Sequence, residues 1–126
     1  MTELSAAQRQ PIQRGQVWRI EKTVKSLDLL AGGLALVVSN DPYNLNPAYP
    51  WCVVASVVSV IVEVPTHMLF AAEDRRNMAV LAPESGVRAE RLGCVPKTWL
   101  MECVGAISSA TMHRVERALC QALALS

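Results

Sequence analysis

The segment from Trp51 to Val62, twelve residues that are nearly all apolar, limits the fold more than any other feature. It is well short of the ~20 residues a helix needs to cross a bilayer. Its valine and isoleucine content favours a strand, because side chains branched at Cβ have restricted rotamers that suit a pleated surface. Taken as Cys52–Val64, the run exceeds ordinary strand length. It is therefore expected to bend or to span two sheets, with Pro65 at its end.

Shorter apolar segments flank this run. Val17–Thr23 alternates as a strand with one wet face. Residues 22–33 read as a loop closed by Gly32-Gly33, and Leu34–Ser39 as a compact buried strand stopped by Asn40-Asp41-Pro42. Residues 44–50, with Pro47, Pro50, Asn44 and Asn46, read as irregular. Met68–Phe70, Met78–Leu81, Gly86–Leu92 and Met101–Ile107 are further candidate strands, with a charged turn over Glu73–Asn77. The period then changes: Met112, Val115, Leu119 and Ala122 lie three and four apart, the apolar stripe of a helix that Ser108 or Ser109 can cap. Closely spaced strands followed by one helix predict a mainly β fold, a small barrel with a closing C-terminal helix.

A chain of 126 residues is one domain with a real core, and 52% hydrophobic residues leave apolar surface for a partner. Residues 1–13 read as a flexible tail and 14–126 as the domain. A net charge of +1 excludes nucleic-acid binding driven by net charge alone. Local basic clusters remain: Arg14, Arg19, Lys22 and Lys25, then Arg75, Arg76, Arg88 and Arg91. The plain alternative for each is a solvated face. Cys52, Cys94, Cys103 and Cys120 have no C-x-x-C spacing and no nearby histidine, so no metal or other cofactor is expected. The opening MTELSAAQRQPIQ lacks the apolar centre of a secretory signal, which predicts a cytoplasmic protein with no membrane contact.

In order and spacing, RGQVW (Arg14–Trp18), LALVVSNDPYN (Leu34–Asn44), VPTHM (Val64–Met68), SGVRAERLGCVPKTWL (Ser85–Leu100) and the final helix resemble the MazF/PemK toxins of bacterial toxin–antitoxin pairs. That resemblance implies a small SH3-like barrel with added helices, paired into a homodimer, with single-stranded RNA in a groove and a cognate antitoxin as partner. It also implies a metal-independent endoribonuclease. In such enzymes a base takes the 2′-hydroxyl proton, the 2′-oxygen attacks phosphorus, and a 2′,3′-cyclic phosphate is left.

This sequence departs from the family pattern at several site positions. The Arg-Pro that many members carry before the LVVSND-like strand is Gly33-Leu34 here. Their Ser or Thr at the end of the next strand falls at Val58-Ser59, and a later Arg at Gly93. The Kid/PemK branch instead uses an Arg-x-Asp pair on the later strand, which aligns with Arg88 and Glu90. Side chains two apart on a strand share a face about 7 Å apart, so these two could flank one phosphate. The resemblance thus makes Arg88, Glu90, Asp28 and Ser59 the catalytic candidates. Arg14, Lys22, Lys25, Arg75, Arg76 and Arg91 are the RNA-binding candidates. His67 of the PTH element is read as structural, His113 as exposed, and Trp18, Trp51 and Trp99 as core or interface anchors. Two rival functions stay open: a relative that keeps the barrel but has lost catalysis, and a CcdB-like gyrase inhibitor, although the C-terminal ALALS lacks the Trp-Gly-Ile type of tip.

Overall fold

The alternating segment at the start forms strand β1 (Gln16–Ile20), which pairs antiparallel with β2 (Leu34–Val37). The computed structural model describes residues 10–21 and 33–125. Lys22, Lys25, Asp28 and residues 1–9 of the expected tail lie outside the described residues. The long β-branched run supplies β3 (Trp51–Val58), which pairs with β2 on one side and with β5 (Gly86–Pro96) on the other. The strand stops at Val58, short of Pro65. The short β4 (His67–Leu69) pairs with the start of β5, and β6 (Leu100–Ala106) pairs with β1. The resulting antiparallel sheet has the order β4-β5-β3-β2-β1-β6.

The two faces of β2 show why the sheet must curl. Leu36, with Val38 just beyond the strand, packs with Val17, Ala55, Met68, Phe70, Met78, Val87 and Val115. Ala35 and Val37 pack on the other side with Trp18, Ile20, Cys52, Val54, Val95 and Leu100. A sheet wet on one face would not bury both sets, since successive side chains point to opposite faces. This is the expected mainly β, barrel-like fold, although β4 and β6 remain edges and the sheet does not close.

The final helix, α3 (Ser109–Leu123), closes one core with Val115. Ser108 caps it, its hydroxyl accepting a hydrogen bond from the Thr111 amide at 3.2 Å. Two expectations are corrected. Glu73–Asn77 is part of a helix, α2 (Ala72–Asn77), and Met78–Leu81 is a turn after it, not a strand. Its apolar residues are real core members: Met78 and Leu81 are buried against Val17, Leu36 and Val115. A short helix, α1 (Asp41–Asn44), occupies the Asn/Asp/Pro turn after β2.

Candidate active site

Most polar groups of the SNDPYN segment build a turn. The buried Asn44 amide donates to the Ser39 carbonyl at 2.7 Å and to Asp41 Oδ1 at 3.0 Å. Asp41 Oδ1 also accepts the Arg14 backbone amide at 2.7 Å, and Ser39 Oγ accepts the Val53 amide at 3.0 Å. The Arg14 guanidinium donates to the Val38 carbonyl and pairs with Glu116 at 2.8 Å. Arg75 donates to the Phe70 carbonyl. Both guanidinium groups are therefore engaged inside the fold, whereas Arg76 and Arg91 form no ion pair among the described residues.

Strand β5 carries the remaining candidates into two groups, Arg91 at a cavity and Arg88 with Glu90 beside β4. Its ladder with β3 is interrupted: Ala55 lies opposite Leu92 and Ser56 opposite Arg88, so Ala89, Glu90 and Arg91 have no partner on β3. A bulge of this kind re-aims side chains next to it. Arg91 lines a cavity of about 460 Å³ with Gly33, Leu34, Val58 and Ser59. The positions aligned with the family's Arg-Pro and Ser/Thr thus converge in space, but most of the wall is apolar. Ser56 also borders this cavity, and its hydroxyl is buried without a hydrogen-bond partner. Gly93 is buried on β5 opposite Val54.

Arg88 and Glu90 meet beside β4, and a third residue joins them. Arg88 Nε donates to Glu90 Oε2 at 2.8 Å, and a terminal guanidinium nitrogen lies 2.8 Å from the same oxygen. Register places His67 of β4 directly opposite Arg88. Its Nε2 lies 3.2 Å from Glu90 Oε2 and 3.0 Å from Arg88 Nε. The Val62 amide faces Nδ1 at 3.4 Å. The His67 side chain is 8% exposed and that of Glu90 33%, so the cluster is rooted in the protein with the carboxylate toward solvent.

Burial alone would raise the Glu90 carboxyl. Hydrogen bonds from its own backbone amide, the Thr66 hydroxyl, Arg88 and His67 outweigh that effect and hold it at about 2. Glu90 is therefore a carboxylate, an acceptor of hydrogen bonds and of protons, and Arg88 beside it is a permanent cation. Beyond His67 an open groove of about 660 Å³ runs between β4 and α3, with His113, Arg114 and Arg117 on its wall. By contrast, burial pushes the Cys52 thiol up to about 11, despite the opposing charge of Lys97, which leaves it inert as a nucleophile. Among the described residues no group of His, Cys, Asp or Glu side chains is placed to hold a metal ion.

His67 is the residue that sequence reasoning left out of the site. Its partnership with Arg88 exists because residues 70–85, including α2, loop out between two paired strands. The PTH element marks a histidine but carries no register.

Comparison with curated protein sequences finds no match. Among solved structures, the chain is similar to an endoribonuclease from a mycobacterial species, with TM-score 0.73 and 23% identity over 91% of this chain and 93% of that one. An endoribonuclease in complex with its cognate antitoxin, also mycobacterial, gives 0.73 and 23% over 91% of this chain and 97% of that one. MazF from Deinococcus radiodurans gives 0.71 and 17% over 92% of this chain and 99% of that one. At such identities the likeness carries the fold. The family model for the PemK-like, MazF-like toxin of type II toxin-antitoxin systems matches residues 13–123. With nearly the whole chain matched and the same fold in place, this protein belongs to that family.

Proposed function

We propose that this protein is the toxin of a type II toxin–antitoxin pair and acts as a metal-independent endoribonuclease on single-stranded RNA. The observation that carries the reading is the direct contact of Arg88 with Glu90 at the rim of the sheet. Glu90 takes the proton of a 2′-hydroxyl as the 2′-oxygen attacks phosphorus. The bond from the 2′-oxygen to phosphorus forms and the bond to the 5′-oxygen breaks, leaving a 2′,3′-cyclic phosphate. Arg88, which does not give up a proton at any ordinary pH, holds the phosphate and donates hydrogen bonds to the departing oxygen, which takes its proton from solvent.

Glu90 is a weak base while Arg88 is on it. A bound phosphate competes for the guanidinium, and each N–H it draws away raises the proton affinity of the carboxylate. Substrate binding thus prepares the base. The neighbours named as endoribonucleases, one of them in complex with an antitoxin, support both the activity and the partner. Exposed Val60, Val62, Val64 and Leu69 along and beside edge strand β4 support a homodimer. A cytoplasmic site of action follows from the substrate, and no helix among the described residues is long and apolar enough to cross a membrane.

One observation favours a second reading, a binding module without catalysis. The cavity that gathers the positions of the family's Arg and Ser/Thr is walled here by Gly33, Leu34 and Val58. The deciding experiment is purified protein with a long, weakly structured RNA in EDTA, beside Arg88→Ala and Glu90→Ala. Discrete cuts with cyclic-phosphate ends, lost in both variants, are the expected result. Intact RNA across many substrates favours the binding module.

A further inference from the structure

Three nitrogens converge on one oxygen of Glu90. Oε2 lies 2.8 Å from Arg88 Nε, 2.8 Å from a terminal nitrogen of Arg88 and 3.2 Å from His67 Nε2. A carboxylate oxygen has two lone pairs, so one donor is surplus. The proton on the imidazole can be placed by its neighbours. Nδ1 faces the Val62 N–H, which only donates, so Nδ1 must be the acceptor. The proton then sits on Nε2, pointing at Glu90. Arg88 Nε points toward both His67 Nε2 at 3.0 Å and Glu90 Oε2 at 2.8 Å, and with the proton on Nε2 its N–H goes to the carboxylate, the shorter and charged contact.

We infer that His67 is a positioning residue of the site, an anchor that keeps the Glu90 carboxylate in place when a phosphate draws Arg88 away. This role rests on the ribonuclease reading. Without His67, the backbone amide and the Thr66 hydroxyl still hold the Glu90 carboxyl, but Oε2 would face Arg88, the group that must leave it, with no second side-chain donor beside it. With His67, Arg88 transfers an N–H to substrate while Oε2 keeps a donor. Neither imidazole nitrogen is free for substrate, since one faces Val62 and the other Glu90, and the side chain is 92% covered given its 8% exposure. The histidine therefore acts through Glu90 and not on the RNA. Its place on β4, opposite Arg88, fixes both partners to neighbouring strands of one sheet.

The test compares His67→Leu, which keeps volume but no donor, with His67→Gln, whose amide can still donate to Glu90. In the full chain, His67→Leu is expected to lower kcat roughly ten- to a hundredfold, the size of losing a hydrogen bond to a charged group, with KM little changed. His67→Gln restores much of it. On a Glu90→Gln background, followed through the slow residual cleavage left without the base, His67→Leu has no further effect, because the group it positions is gone. Wild-type rates in His67→Leu, or an equal loss on the Glu90→Gln background, would overturn the inference while leaving the nuclease intact. A wild type that cuts no RNA would instead remove the ribonuclease reading. In that event the Glu90 carboxyl resonance, titrated by NMR in wild type and His67→Gln or His67→Leu, decides separately. A midpoint that rises in His67→Leu and stays near wild type in His67→Gln supports the anchor, and an unmoved midpoint in His67→Leu refutes it.

Discussion

At the residue scale, the same type of side chain does opposite work depending on what surrounds it. Arg14 looked in the sequence like one of a basic cluster suited to RNA, yet its guanidinium bridges the Val38 carbonyl and Glu116. It ties the start of β1 to the turn after β2 and to α3. Arg14→Ala is expected to cost about 1–2 kcal/mol in urea denaturation and to change RNA affinity by less than about twofold. Glu90 carries a different signature. Its carboxyl is held at about 2 in the folded protein against an ordinary 4.5. A depressed value means stabilisation that is fully present above about 4.5 and disappears as pH falls toward about 2. Denaturation curves across that window should show wild type losing stability that Glu90→Gln does not have to lose. An identical acid limb in both proteins would contradict the hydrogen-bond account. The Arg88–Glu90 pair was legible because a strand puts every second residue on one face. His67 was not, since its partners lie 21 and 23 residues further along the chain.

At the element scale, strands announced themselves by β-branched runs and alternation, and α3 by its apolar stripe. Apart from the long run, whose strand stops at Val58 rather than at Pro65, the failures sit together in residues 72–81. The five residues Glu73–Asn77 read as a turn became most of α2, and the apolar Met78–Leu81 read as a strand became the turn behind it. What holds α2 is long-range: Asp74, fully buried, accepts from the Ser108 amide at 2.9 Å and from the Thr111 hydroxyl. It also accepts from the Ala71 amide at 3.2 Å. No local pattern shows that a carboxylate here will meet the amino end of a helix more than thirty residues away. Asp74→Ala leaves those donors unpaired and is expected to cost about 3 kcal/mol by urea denaturation. Gly86 offers a matched comparison. A Cβ there would lie 2.2 Å from the Met68 carbonyl oxygen, where β5 meets β4. Gly86→Ala should cost about 2 kcal/mol and force the two strands apart. At a temperature where both variants are folded, Gly86→Ala should lose cleavage, because His67 and Arg88 no longer align, and Asp74→Ala should keep it.

At the scale of the whole molecule, the charge balance decides how RNA can be held. On the proposed function, a net charge of only +1 supplies little long-range attraction for RNA, and affinity is expected to come from cations near the site. Arg14 and Arg75 are engaged internally, and Arg19 pairs with Glu102. Arg88 lies at the cluster, and Arg114 and Arg117 stand across the groove that begins at His67. A single strand meeting three such cations releases its counterions with a slope of about −2 when log affinity is plotted against log salt. Fluorescence anisotropy with an RNA made uncleavable by 2′-deoxy substitution measures that slope directly. Arg117→Ala should reduce its magnitude by about 0.7 and weaken binding to all sequences alike, as expected of a phosphate contact. A slope steeper than about −4 would mean that more cations meet the strand than one copy of the groove presents. If the proposed homodimer is the source, the slope and the mass from sedimentation change together, the steep slope vanishing when substitution of the exposed Val62 and Leu69 by charged residues gives a monomer.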